Sequence, residues 1–355
     1  MGSTALSLAA QDDMRPRMRF ARAKFRPQAL PVTLVTRSAL QERLTAGAGR
    51  RLTIVTGTAG TGKSVLLSSW AAARAPGRTA WLSCDPADAD PRRFWTGFIE
   101  AFQPVAPGFG ADGASLLRGP ALRLAGIAAS IARDARKLPA GSAIVVDDFH
   151  YATDTAVLAD LARCWPARTA QLVLASRFDP PLPLHRLRRT GELCELRDRD
   201  LVLSLDESRD LLANLGVRVS PAELALLHQC TAGWAAALQM AALSMRDVRD
   251  PARAARSLDI RSHPIAESFI CEVLDRQPPE VARFMLDTSA LEELTAPACA
   301  AVTGRQDAAV LLHSIDAASL FLVALDEERT TFRYQPLVRQ ALRAKRRSSG
   351  PAQAG

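Results

Sequence analysis

Residues 51–75 read RLTIVTGTAGTGKSVLLSSWAAARA. A short β-like run enters a glycine-rich turn that ends in Gly62-Lys63-Ser64, and an apolar helical pattern leaves it. The spacing Gly57-x-x-x-x-Gly62-Lys63-Ser64 is that of a phosphate-binding loop, and its setting of strand, loop and helix is the order such a loop requires. The stretch Gly57, Thr58, Ala59, Gly60, Thr61, Gly62, Lys63, Ser64 and Val65 is expected to turn backbone N–H groups inward around a phosphate at a helix N-terminus. Lys63 is expected to lie exposed and to bridge the β- and γ-phosphates, and the Ser64 hydroxyl to bind Mg²⁺. What the phosphate serves is left open between fuel for a motor, substrate for a transferase and the setting of a switch.

Working outward, the runs TAWLS (79–83), SAIVVDD (142–148), AQLVLAS (170–176) and ELCELR (192–197) have strand character and alternate with amphipathic or polar stretches. This alternation predicts an α/β P-loop NTPase domain, a parallel sheet with helices on both faces. The third run ends in the acid pair Asp147-Asp148. At the carboxyl end of a buried strand beside a phosphate loop, Asp147 would hold Mg²⁺ through water and Asp148 would orient or activate the attacking water. Arg177, just past the next strand, is placed to detect a γ-phosphate by a bidentate contact. Catalytic roles are thus expected for Lys63, Asp148 and Arg177, and metal binding for Ser64 and Asp147.

Beyond residue 203 the strand signals stop. SLDE (204–207) and SPAE (220–223) each place a serine three residues before a glutamate ahead of an apolar pattern, two capping boxes that start helices near Ser204 and Ser220. Further on, two β-rich runs in SLFLVALDEERTTFRYQPL (319–337) flank the polar turn DEER, a hairpin closing a helical domain in a winged-helix pattern. The expected order is a disordered leader (1–23), a P-loop domain (24–202), a helical domain (203–262), a winged-helix-like domain (263–346) and a disordered tail (347–355).

Of the 355 residues, 48% are apolar, but no run approaches the about 20 needed to cross a bilayer, so no membrane partner is expected. The opening segment MGSTALSLAAQDDM lacks a basic stretch ahead of its apolar patch and is a poor secretory signal. Six cysteines without a C-x-x-C pair fit reduced thiols in a cytoplasmic protein, with no metal beyond Mg²⁺. The net charge of +8 is mostly arginine, dense at 15–26 and 339–347. Such clusters attract nucleic acid without reading it, and arginine is abundant throughout, so no specific DNA binding by this chain alone is expected.

The wording of several strings goes beyond general structural need: KFRPQALPVTLVTRSALQERL (24–44), AWLSCDPADADPRRFW (80–95), VVDDFH (145–150), LASRFDPPLPLHRLR (174–188), ELRDRDL (195–201), TAGWAAALQMAALS (231–244) and EVLDRQPPEVARFMLDTSALEELTAPAC (272–299). In these the chain resembles the ATPase module of MalT-like, large LuxR-type bacterial regulators, a branch of the STAND class of signal-transduction NTPases. The resemblance implies an ATP-controlled switch that closes over ADP at rest, self-association or a protein partner in the ATP state, and ATP, ADP and Mg²⁺ as its ligands. It also implies that Arg37 lies near the nucleotide and that Gly233 touches the adenine side, although Ala235 stands where the wider class has proline. Relatives commonly place histidines after the hairpin, facing the ADP phosphate. Here Tyr334 is followed by Gln335 and Pro336, so the closed form is expected to be weaker or held differently. Relatives also continue into a helical-repeat sensor and a DNA-binding helix-turn-helix; nothing in these 355 residues resembles the latter's recognition helix, which suggests a truncated relative, a partner-controlled regulator or a gene remnant.

An AAA+ motor would need an arginine finger and a sensor arginine, and Arg209 and Arg218 sit in no recognisable motif. A transferase would need a mobile, arginine-rich lid, whereas the segment after Ser204 is apolar. A switch needs slow hydrolysis and about 5.5 kcal/mol of differential binding to swing a population from 1:99 to 99:1, which contacts from three domains can supply. An ATP/ADP-binding switch with slow hydrolysis is therefore expected, the alternative being a motor or another P-loop ATPase unconnected to transcription.

Overall fold

The computed structural model describes residues 18–152, 165, 169–246, 274, 277–317, 322–326, 330–334 and 336–348. The chain forms two compact units: Met1–Ala29, Ser38–Thr56 and Ser64–Leu196 in one, Leu30–Arg37, Gly57–Lys63 and Arg197–Gly355 in the other.

In the first unit, α1 (Ser38–Ala46) precedes β1 (Leu52–Thr56), and α2 (Lys63–Ala72) follows the phosphate loop. Then come β2 (Thr79–Ser83), α3 (Pro91–Phe102), α4 (Ala111–Arg118), α5 (Leu124–Ala135), β3 (Ser142–Asp147), β4 (Ala170–Ser176), α6 (Leu184–Arg189) and β5 (Leu193–Leu196). The five strands are the five runs read from the sequence, and they pair in parallel in the order β2-β3-β4-β1-β5. β1, β3 and β4 are buried along their whole length, as strands covered on both faces must be. Side chains alternate between the faces. Leu52, Ile54, Ile144, Val146, Leu172 and Leu174 share a core with the α3 aromatics Phe94, Trp95, Phe98 and Phe102. From the other face, Gln171 donates to the Leu44 carbonyl of α1 at 2.8 Å.

An ion cluster accounts for two of the strings quoted above. Lys24 Nζ lies 2.6 Å from Asp85 and 2.5 Å from Asp88, whose carboxylate is fully buried and also accepts the Asp85 N–H. A buried charge demands such partners, so the lysine and the acids are required together. Within the segment expected to be a leader, the Phe20 ring packs edge-on against Phe25 and lies under Arg93. Residues 1–17 of that segment lie outside the described residues.

The second unit contains α7 (Asp198–Leu201), α8 (Leu205–Asn214), α9 (Pro221–Thr231) and α10 (Ala235–Arg246). Both capping boxes form: Ser204 Oγ accepts the Glu207 N–H and Glu207 accepts the Ser204 N–H, and Ser220 pairs likewise with Glu223. Leu212, Leu227, Leu238 and Ala242 build the core of α8–α10. After it come α11 (Pro279–Thr288), β6 (Leu294–Thr295), α12 (Ala296–Thr303), α13 (Ala308–Ala317), β7 (Leu322–Ala324), β8 (Thr331–Tyr334) and α14 (Pro336–Ser348). β7 and β8 form the expected hairpin, and β6 adds a third antiparallel strand beside β8 that the sequence did not announce. Tyr334 closes this core, its hydroxyl 2.9 Å from Thr288 Oγ1, and burial raises its phenol above the usual range. Residues 347 and 348 of the expected tail are helical, as the end of α14; the helical stretch expected over 247–262, Gln335 and the rest of the tail from 349 lie outside the described residues.

Candidate nucleotide site

The phosphate loop connects β1 to α2. Gly60 and Gly62 take φ values of 76° and 86°, the left-handed region that side chains avoid. Apart from its chain neighbours, no heavy atom lies within 4 Å of where a Cβ on Gly62 would stand, so at that position the backbone conformation rather than packing calls for glycine. Gly57 is closely packed instead: a Cβ would meet Leu201 Cδ1 at 2.8 Å and Asp198 Oδ1 at 2.9 Å, so those side chains would have to shift. Lys63 corrects one expectation, because it is buried, with 8% of its surface exposed. Its ammonium donates to the Gly57 carbonyl at 2.5 Å and the Thr58 carbonyl at 2.9 Å. The lysine at the end of the loop reaches back to carbonyls at its start, so it shapes the loop as well as offering charge.

In the first unit, Ser64, Asp147 and Asp148 line one cavity of about 420 Å³ together with Trp81, Ser83 and residues 23 and 26–29. Asp147 ends β3, is buried and accepts the Asp148 N–H at 3.0 Å. Asp148 adopts φ 52°, one of two non-glycine residues with positive φ among those described. Its carboxylate is 44% exposed and lies 3.9 Å from the buried ring of His150. Strained backbone of this sort costs about 1–3 kcal/mol and is often found where a side chain must be aimed. A hydroxyl and a carboxylate on one cavity are the hard oxygen donors that Mg²⁺ takes, so the residues fit that ion. Arg177 directly follows β4, the strand between β1 and β3, and is partly exposed. Arg26 and Gln28 were missed in the sequence; they reach the cavity from a segment without periodicity, where only the fold reveals neighbours.

Arg37 and Gly233, which the resemblance implied to lie near the nucleotide, both pack around the start of the helical segment. The Arg37 guanidinium pairs with both Glu207 oxygens at 3.1 and 3.2 Å and donates to the carbonyls of Leu201 (2.6 Å), Val202 (2.9 Å) and Asp200 (3.2 Å), clamping the end of α7 to the start of α8. Gly233, at φ 69°, lies against the backbone of Leu203, where a Cβ would come within 2.5 Å of the carbonyl oxygen. Asp198 and Trp234, not singled out from the sequence, both reach the phosphate loop: Asp198 accepts the Thr58 N–H at 2.8 Å, and the Trp234 indole donates to the Ala59 carbonyl at 3.0 Å. Arg209 pairs with Asp206 on its own exposed helix turn.

The sheet order, the phosphate loop and the acid-ended β3 define a P-loop ATPase. Residues 46–177 match the family model of an AAA domain, and residues 270–354 match that of the MalT winged helix domain. The HTH-type transcriptional regulator MalT of Cronobacter sakazakii is 30% identical over 327 residues, covering 90% of this chain and 36% of MalT. The serine/threonine-protein kinase PknK of Mycobacterium tuberculosis is also 30% identical, over 322 residues, 88% of this chain and 29% of the kinase. Among solved structures, a Walker-type ATPase of Pyrococcus abyssi shares the fold, with a TM-score of 0.62, 16% identity, and coverage of 90% of this chain and 98% of that one. More narrowly, then, the chain is a MalT-like P-loop ATPase module, and it spans about a third of the length of the curated relatives it matches.

Proposed function

We propose that this module is an ATP- and ADP-binding switch that hydrolyses ATP slowly and regulates transcription through the state of its bound nucleotide. The observation that carries the reading is the full phosphate-loop residue set, with Ser64 and Asp147 lining one cavity beside Asp148. In this reading Gly60, Thr61, Gly62 and Val65 offer backbone amides to the phosphates, Lys63 supplies a positive charge, and Ser64 and Asp147 hold Mg²⁺, which neutralises phosphate charge when bound. Asp148 orients or deprotonates the attacking water, and Arg177 senses the terminal phosphate. The nucleotide-bound form associates with itself or a protein partner, and the module works in the cytoplasm. Among the described residues no helix is long and apolar enough to cross a membrane. A motor is supported less, because Arg209 and Arg218 sit in no recognisable motif.

Calorimetric titration of ATP and ADP into the wild type and Lys63→Ala tests the binding step. Binding is expected in the wild type and lost in the variant. Because Lys63 also bonds the Gly57 and Thr58 carbonyls, circular dichroism must show the variant folded. Unchanged affinity in a folded Lys63→Ala would reject the assignment.

A further inference from the structure

The phosphate loop is held on its carbonyl side by residues far along the chain. The Trp234 indole donates to the Ala59 carbonyl at 3.0 Å, and the Ala236 N–H, in the first turn of α10 and without an acceptor inside that helix, donates to the Gly60 carbonyl at 3.1 Å. Asp198 takes the neighbouring Thr58 N–H. The contact is close enough to dictate sequence: a Cβ on Gly60 would stand 2.6 Å from Ala236 Cβ and 2.9 Å from Trp234 Nε1. The body of the same indole is buried, at 2% exposure, in the core that contains Phe284, Met285, Phe332 and Tyr334. One side chain therefore has its ring in the winged-helix core and its N–H on the phosphate loop.

We infer that Trp234, with Asp198 beside it, is a positioning residue that couples nucleotide occupancy of the loop to the packing of the winged-helix core. The inference rests on the nucleotide-binding reading and adds the route by which the nucleotide is felt. Coupling is reciprocal: if a bound nucleotide alters the Ala59 and Gly60 peptides it alters the Trp234 hydrogen bond, and loss of that bond changes nucleotide affinity by the matching factor. For one hydrogen bond between neutral groups that factor is about two- to tenfold.

The test uses the full chain and ADP. Trp234→Phe keeps the ring and removes the N–H; its absent signal also assigns Trp234 among the five indole resonances of the ¹⁵N-labelled wild type. On adding ADP the Trp234 resonance is expected to shift, while that of Trp165, which donates to the Ala170 carbonyl within the first unit, stays. Trp234→Phe is expected to bind ADP about two- to tenfold more weakly. Asp198→Ala should weaken binding as well, and Asp198→Asn, which keeps an acceptor oxygen, should restore most of it. If ADP binds the wild type but leaves the Trp234 resonance in place, and Trp234→Phe binds equally well, Trp234 is a core residue only and the inference falls. If the wild type binds no nucleotide, the underlying reading fails first. Should Trp234→Phe not fold, the wild-type resonance, assigned by sequential methods, decides alone.

Discussion

Asp147 and Asp148 are neighbours in sequence with unlike surroundings. Asp147 is buried at a strand end and bonded to the next backbone amide, whereas Asp148 is turned out by a left-handed backbone and nearly half exposed. The different roles proposed for them can be separated by substitution. Asp148→Asn is expected to slow ATP turnover by about 100-fold or more with little change in ATP affinity, the range for loss of a general base. Asp147→Asn keeps an acceptor for the Asp148 N–H and so should fold, while weakening Mg²⁺-dependent ATP binding. Turnover and titration on the two variants check this; small, equal effects on both quantities would make the pair structural. At this scale the sequence was legible where local spacing sets the geometry: the glycine-rich loop lies between β1 and α2, and the acid pair lies at the end of β3. It was silent on contacts across more than a hundred residues: the Arg37 clamp on Glu207 and the Asp198 bond to Thr58 leave no pattern in a single chain.

Elements were legible in proportion to how strongly local rules bound them. The five parallel strands are short β-rich runs, three of them buried along their whole length, and α8 and α9 begin at capping boxes that need only four consecutive residues. β6, with two residues, is too short to alternate and exists because β8 offers it an edge. The β7–β8 turn was legible as polar, but not the residue that holds it. Asp326 accepts the N–H groups of Thr330 and Thr331 and the Thr330 hydroxyl, and the Thr330 side-chain bond is the main cause that lowers its carboxyl from 3.8 to about 2. A carboxyl with a depressed value stabilises the fold at pH above its unfolded value, and that contribution is lost as pH falls through the folded one. Asp326→Ala is therefore expected to lower the thermal midpoint at pH 6, with the gap from wild type closing between about pH 4 and pH 2. Melting curves across that range check it; a gap that does not change with pH would show that the charge of Asp326 plays no part.

At the scale of the whole molecule, a parallel-sheet unit and a unit ending in a winged helix are joined in one chain, and the phosphate loop packs with the second of them. The proposed switch draws on that arrangement: the loop proposed to meet the nucleotide is bonded to α7 and α10, and the Trp234 ring lies in the winged-helix core. A motor must release its product quickly, whereas a switch must hold it. The most direct measurement is the fate of ATP on the purified chain with Mg²⁺, following both hydrolysis and the ADP that remains bound. A switch gives about one turnover per chain, then retained ADP and a steady rate below about 1 s⁻¹, the low end of ordinary enzyme turnover. Rapid, repeated turnover with ADP leaving freely would contradict a switch, and so would a folded chain that neither binds nor consumes ATP.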